Sequence, residues 1–130
     1  METLKTPWKD ALSFLVRPLI AGQPYDYRTE HDLHRAVSGT LGNAGVRFAH
    51  EFALTSTERI DFISRGVGIE VKTTGTIAEV GAQLRRYGNT GRLSALMLVT
   101  TCAEHRRVPV HGYGVPTAII HVYAWRRWWA

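Results

Sequence analysis

The chain predicts an α/β fold, a mixed central sheet flanked by helices, and three observations carry that expectation. Helix-like and strand-like stretches follow one another in the order α-β-β-β-α-β, with a loop and a further strand behind them. Ser94–Thr100 is a nearly continuous apolar run, the pattern of a strand covered on both faces. Two Thr-x-x-acid capping boxes, Thr29 to Asp32 and Thr76 to Glu79, each open a stretch with helical apolar spacing.

Each element follows from its own residues. Residues 1–28 read as an N-terminal arm or short helix packed on the core, because Trp8, Leu12, Leu15 and Leu19 fall near helical spacing until Gly22-Gln23-Pro24 breaks it. From Thr29 a helix carries Leu33, Val37, Leu41 and Ala44 on one stripe, and Gly42 and Gly45 end it. Glu30 shares that inward stripe, an unusual place for an acid. Strands are expected at Val46–Leu54, Arg59–Ser64 and Val67–Thr73, the last two joined by Arg65-Gly66 in a tight hairpin. A second helix runs from Ile77 to Tyr87, with Ile77, Val80, Leu84 and Tyr87 buried and Gly88 as the stop. After Ser94–Thr100 comes a loop, Cys102–Val115, and then a last strand, Thr117–Trp125, ending in the tail Trp125-Arg126-Arg127-Trp128-Trp129.

Composition bounds the function. At 130 residues one domain is the expectation, and 45% apolar residues exclude wholesale disorder. A single cysteine, Cys102, makes neither an internal disulfide nor a Cys-rich zinc site, which argues for a reducing, cytoplasmic setting; its place after a buried strand reads as structural. No apolar stretch is long enough for a membrane span or organised as a signal peptide, so the chain reads as soluble. The net charge of +5, with Arg supplying 13 of 16 basic residues, fits an anionic partner.

The hairpin carries the chemistry. With Arg65 and Gly66 as its only loop residues, 64 pairs with 67, 63 with 68, 62 with 69 and 61 with 70, which sets Asp61 directly opposite Glu70. Lys72 projects from the same face as Glu70, while Ile60, Phe62, Ile69 and Val71 point to the opposite, core face. Two such close carboxylates repel unless a cation separates them or one takes a proton. A hard ion such as Mg²⁺ suits them, and a neighbouring lysine can orient water or neutralise developing charge. Inward Glu30 can complete the site as a further ligand or as a partner for Lys72. The alternative for these residues is a solvated strand pair with a surface salt bridge.

Ile60-Asp61 followed by Glu70-Val71-Lys72 resembles the core motif of the PD-(D/E)XK nuclease superfamily, with Ile60 where the name-giving proline would stand. Gln83-Leu84-Arg85-Arg86-Tyr87 is similar to the Q-x-x-x-Y motif of its RecB-like and lambda-exonuclease-like branches, and Glu30 matches the acid on the family's first helix. The resemblance covers residues 29–101 within a nuclease domain of residues 29–130. It implies a restriction-endonuclease-like αβββαβ core and a Mg²⁺-dependent deoxyribonuclease, with Mn²⁺ able to substitute. It further implies metal ligation by Asp61, Glu70, the Val71 carbonyl and Glu30, water assistance by Lys72, and support or DNA contact by Gln83 and Tyr87. RecB-like members can carry a metal-binding histidine on the first helix; His34 is in that position, though a core or boundary role is the expectation for it.

Arg85/Arg86/Arg92, Arg106/Arg107 with His105, and Arg126/Arg127 among tryptophans make three basic sets suited to tracking phosphates. The tail fits oligomer packing equally well. His50, His111 and His121 have no ligand spacing. The resulting expectation is a phage-like DNA end-processing, recombination or repair nuclease acting on single-stranded, ended or branched DNA. A Holliday-junction resolvase and a non-cleaving DNA- or protein-binding module are the alternatives.

Overall fold

The structure is a computed structural model and describes residues 7–125. Its elements are α1 (Pro7–Ala21), β1 (Tyr25–Asp26), α2 (Glu30–Asn43), β2 (Ala49–Ala53), β3 (Arg59–Ser64) and β4 (Val67–Lys72). They continue with α3 (Ile77–Gly88), β5 (Ala95–Thr100), a 3₁₀ turn at Ala103–Arg107, β6 (Thr117–His121) and β7 (Ala124–Trp125). Strands β2 to β6 form one five-stranded sheet in sequence order. The β2/β3 and β3/β4 pairs are antiparallel, and the β4/β5 and β5/β6 pairs are parallel, so the sheet is mixed. No described helix is long and apolar enough to cross a membrane.

Both capping boxes form. Thr29 and Thr76 each accept the amide of the residue three positions on, and the Asp32 and Glu79 carboxylates reach back to the cap amides. The hairpin closes with Arg65 at φ 52° and Gly66 at φ 79°. Positive φ at both central residues is the turn whose twist matches paired strands. It sets the register Ser64↔Val67, Ile63↔Gly68 and Phe62↔Ile69.

Two apolar layers cover the sheet. On one face Leu15 and Leu19 of α1 and Leu33, Val37 and Leu41 of α2 pack on Phe62, Ile69, Val71, Met97 and Val99. On the other, Val80, Leu84 and Tyr87 of α3 pack with Val108 and Tyr113 on Leu96 and Leu98. Within the N-terminal segment, Pro7–Ala21 is a helix seated on the core.

Four expectations need correction. Strand β2 begins at Ala49, three residues later than expected, and is mostly exposed. Ile60 joins the α3 layer and not the layer of Phe62. The two-residue alternation breaks between them, at Asp61. The segment expected as one strand over Thr117–Trp125 divides after His121, and its last two residues pair in parallel with β1 as a separate sheet. The basic loop contains a 3₁₀ turn, with His105 fully buried inside it. Arg126, Arg127, Trp128 and Trp129 lie outside the described residues.

Gly88, read in the sequence as a helix stop, is the last helical residue, and its role is close approach. A Cβ there would overlap the Tyr113 carbonyl oxygen. Gly88→Ala is therefore expected to destabilise the fold by roughly 1–3 kcal/mol, as overpacking against fixed backbone does. Urea unfolding of the two proteins checks this.

Candidate active site

Asp61 stands where the sheet opens on both sides. The β2/β3 ladder pairs His50 with Phe62 and Phe52 with Ile60 but skips the intervening Glu51–Asp61 position. Glu51 there adopts φ 51°, a left-handed conformation that a residue with a Cβ rarely takes. On the other flank the β3/β4 ladder stops at Phe62↔Ile69. Carboxylates take over from backbone carbonyls at that point. Val71 N–H donates to Asp61 Oδ2 at 2.7 Å, and Asp61 N–H donates to Glu70 Oε1 at 3.4 Å. Each strand thus binds the other through an acidic side chain.

Glu70 is buried, with 3% exposure, and Asp61 is half-buried. Burial first, and then the Asp61 charge, push the Glu70 carboxyl up from 4.5 to about 8, against the pull of Lys72. Burial also raises Asp61, opposed by its bond from Val71 and by His34 and Lys72. Lys72 Nζ lies 3.3 Å from Glu70 Oε2. The expected backbone pairing of 61 with 70 is absent from the ladder, and Asp61, Glu70 and Lys72 come together through side-chain contacts instead.

Helix α2 brings a second pair. His34 Nε2 is 3.4 Å from Asp61 Oδ2 and 4.0 Å from Glu30 Oε2. His34 is half-buried, a boundary residue as expected, and its ring stands within the cluster. Its signal was the four-residue spacing from Glu30. His50 stacks on Phe62 with ring centroids 4.9 Å apart and stands edge-on to His34. Glu30 is only half-buried and ties down the strand end: its Oε1 accepts the Thr73 amide at 3.0 Å and the Thr73 hydroxyl at 3.4 Å.

Gln83 and Tyr87 serve from behind. Gln83 Nε2 donates to Tyr87 Oη at 2.8 Å, and that hydroxyl donates to the Arg59 carbonyl at 3.0 Å, two residues before Asp61. Burial, and then the negative charge of Glu70 and Asp61, raise the Tyr87 phenol, which keeps it a donor. Both residues support the start of β3.

Arg85, Arg86, Arg106 and Arg107 are exposed, and Arg86 pairs with Glu58 at 3.2 Å. His105 leaves the basic surface entirely. Its Nδ1 is 2.6 Å from Thr100 Oγ1 and its Nε2 is 2.7 Å from the Gly75 carbonyl, which joins β5 to the approach to α3. Cys102 donates to the Thr73 carbonyl at 2.8 Å, and burial pushes its thiol up, as a structural role requires. A cavity of about 490 Å³ opens beside the cluster, lined by Glu30, Lys72, Thr74, Gln83 and Arg86 among others.

Among the described residues no group of three or more His, Cys, Asp and Glu side chains comes together as a cage for a metal ion. A hard divalent ion asks for less, since Mg²⁺ is commonly held by one or two carboxylates, waters and substrate phosphate. The donor set fits that demand: two acids, Glu70 buried and Asp61 half-buried, whose charges oppose each other until a proton or a cation intervenes.

The raised Glu70 carboxyl has a consequence for stability. The folded chain keeps that proton where the unfolded chain has already released it, so stability falls as pH rises from about 4.5 to about 8. In EDTA, Glu70→Gln is expected to flatten this decline, and thermal melts between pH 5 and pH 8 check it. Comparison of the chain with protein-family models, with curated proteins and with solved structures finds no match.

Proposed function

We propose that the chain is a metal-dependent deoxyribonuclease of the PD-(D/E)XK kind, hydrolysing phosphodiester bonds in DNA end processing, recombination or repair. The observation that carries this reading is the pairing of Asp61 with Glu70 at the opened end of the β3/β4 ladder, with Lys72 on Glu70. The αβββαβ order, Glu30 beside the cluster, and Gln83 and Tyr87 bracing the strand that carries Asp61 all support it.

In this reading Asp61, Glu70, the Val71 carbonyl and Glu30 would hold Mg²⁺, which would supply Lewis-acid polarisation of a phosphate oxygen and neutralise its charge. The chain's own residues do the rest. Lys72 carries its ammonium to the edge of the cavity that also receives Arg86 and Gln83, and stabilises negative charge as it develops on the phosphoryl group. His34, against Asp61, orients that carboxylate from the α2 side. Tyr87 fixes the backbone two residues ahead of Asp61, so the acid is held within the tolerance that positioning demands. Exposed Arg85, Arg86, Arg106 and Arg107 supply sequence-independent attraction to the sugar–phosphate chain.

Digestion of labelled linear, closed-circular, single-stranded and four-way-junction DNA in Mg²⁺, Mn²⁺ and EDTA tests the proposal. Cleavage is expected with either ion and none in EDTA. Asp61→Ala and Glu70→Ala should abolish it in folded protein, and Lys72→Ala should lower turnover by roughly 10²–10³-fold with DNA affinity little changed. Full activity in all three variants, or equal activity in EDTA, overturns the reading. Preferential cutting of the junction would move it to a resolvase.

A further inference from the structure

A second cavity, of about 410 Å³, lies at the carboxyl end of β4, β5 and β6. Its wall includes Tyr27, Thr73, Thr101, His121 and Tyr123. Thr73 is the residue whose amide and hydroxyl are held by Glu30, so this cavity adjoins the acidic cluster. The cavity beside that cluster is lined by the residues before and after this threonine, Lys72 and Thr74, with Glu30, Gln83 and Arg86. Two neighbouring cavities of contrasting chemistry therefore lie next to Thr73.

The contrast is between charge and ring. The first cavity presents cations and acids; the second presents aromatic and neutral polar groups, and among the described residues no carboxylate lines it. Tyr123 is 65% exposed, an aromatic ring offered to solvent, and stands edge-on to His121 with centroids 5.7 Å apart. Tyr27 is half-buried and donates its hydroxyl to Thr101 Oγ1 at 3.3 Å, so its ring is a fixed wall. His121 Nδ1 lies 3.2 Å from an Arg106 nitrogen. Arginine donates and does not accept, so that bond enters Nδ1 and the ring proton sits on Nε2. His121 Nε2 is the buried side-chain nitrogen that has no hydrogen-bond partner among the described residues. Buried donors of this kind are uncommon and call for an acceptor.

We infer that this cavity takes an unpaired nucleobase of a single-stranded DNA segment whose adjoining phosphate lies in the cavity of Lys72 and Arg86. The inference rests on the nuclease reading and adds the form of the substrate. A base offers a flat face for Tyr123 and ring or carbonyl acceptors for the polar wall of the cavity. A paired base has its face stacked and its edge occupied, so a duplex does not fill the site without opening. The volume lies within the range of small-molecule sites and exceeds the needs of one base.

The test measures binding by fluorescence anisotropy in EDTA, where cleavage does not interfere, with the full chain and a labelled single strand, the matching duplex, and an abasic strand of equal length. Wild-type protein should bind the single strand more tightly than either other probe. Tyr123→Ala should weaken single-strand binding by roughly tenfold, the size of one stacking contact, and leave duplex and abasic affinity unchanged. Tyr123→Trp should restore it, and His121→Ala should weaken it further when combined with Tyr123→Ala. Circular dichroism verifies folding, and exposed Tyr123 is a safe position for substitution. Single-strand affinity within twofold of wild type in both single variants overturns the inference, as does equal loss on all three probes or a wild-type preference for duplex. Cleavage is a separate readout: base-dependent binding without any hydrolysis in Mg²⁺ sinks the nuclease proposal alone, and hydrolysis without base-dependent binding sinks this one alone.

Discussion

The exchange of backbone amides for carboxylates at the end of the β3/β4 hairpin is the interaction on which the remainder of the molecule depends. A continued ladder would consume the amides of Asp61 and Val71 in strand-to-strand bonds and leave both acids as ordinary side chains. Here the strands part after Phe62↔Ile69, and the acids become part of the strand pairing itself. Their burial follows from that, because a carboxylate that accepts a backbone amide is held against the sheet. So does the elevated Glu70 carboxyl, since one buried acid then sits beside another. An arrangement that is unfavourable by itself persists because the hairpin turn on one side and the Tyr87 bond on the other fix its ends.

Three elements converge on this opening, each for a different physical reason. Helix α2 delivers Glu30 and His34 four residues apart on one face, with its capping box setting where the first turn begins. Helix α3 delivers Gln83 and Tyr87 by the same spacing, with Tyr87 in the apolar layer and Gln83 on the cavity wall, and Tyr87 acts through a backbone carbonyl. The buried His105 then holds the end of β5 to the approach of α3 through Thr100 and Gly75. Removing any one of these would loosen a different wall of the same site.

Much of this was legible in the residues. Arg65-Gly66 set the hairpin register because a two-residue turn leaves no freedom, and counting along two strands brought Asp61, Glu70 and Lys72 near one another but not the parting of the ladder before the 61–70 pair. The capping boxes placed both helix starts for the same local reason. What was not legible depends on distant or irregular backbone. The pairing of β1 with β7 joins two-residue strands from opposite ends of the described chain, too short to leave a periodic pattern. The switch of Ile60 to the α3 layer depends on the break at Asp61, which no alternation rule contains. His105 read as surface because Arg106 and Arg107 follow it, yet a 3₁₀ turn directs neighbours to different sides and buries it alone.

The left-handed Glu51 has an effect beyond the site it borders. Strand β2 is an edge of the five-stranded sheet, and an exposed edge is a template on which another chain can lay down a strand. Templating requires an uninterrupted, extended row of amides and carbonyls. At Glu51 the backbone leaves the extended region, and the paired positions of β2 fall into two short pieces, Ala49–His50 and Phe52–Ala53. The irregularity that frees Asp61 from its ladder therefore also leaves an incoming strand no continuous edge to copy, and the same residue that opens the sheet inward guards it against self-association outward.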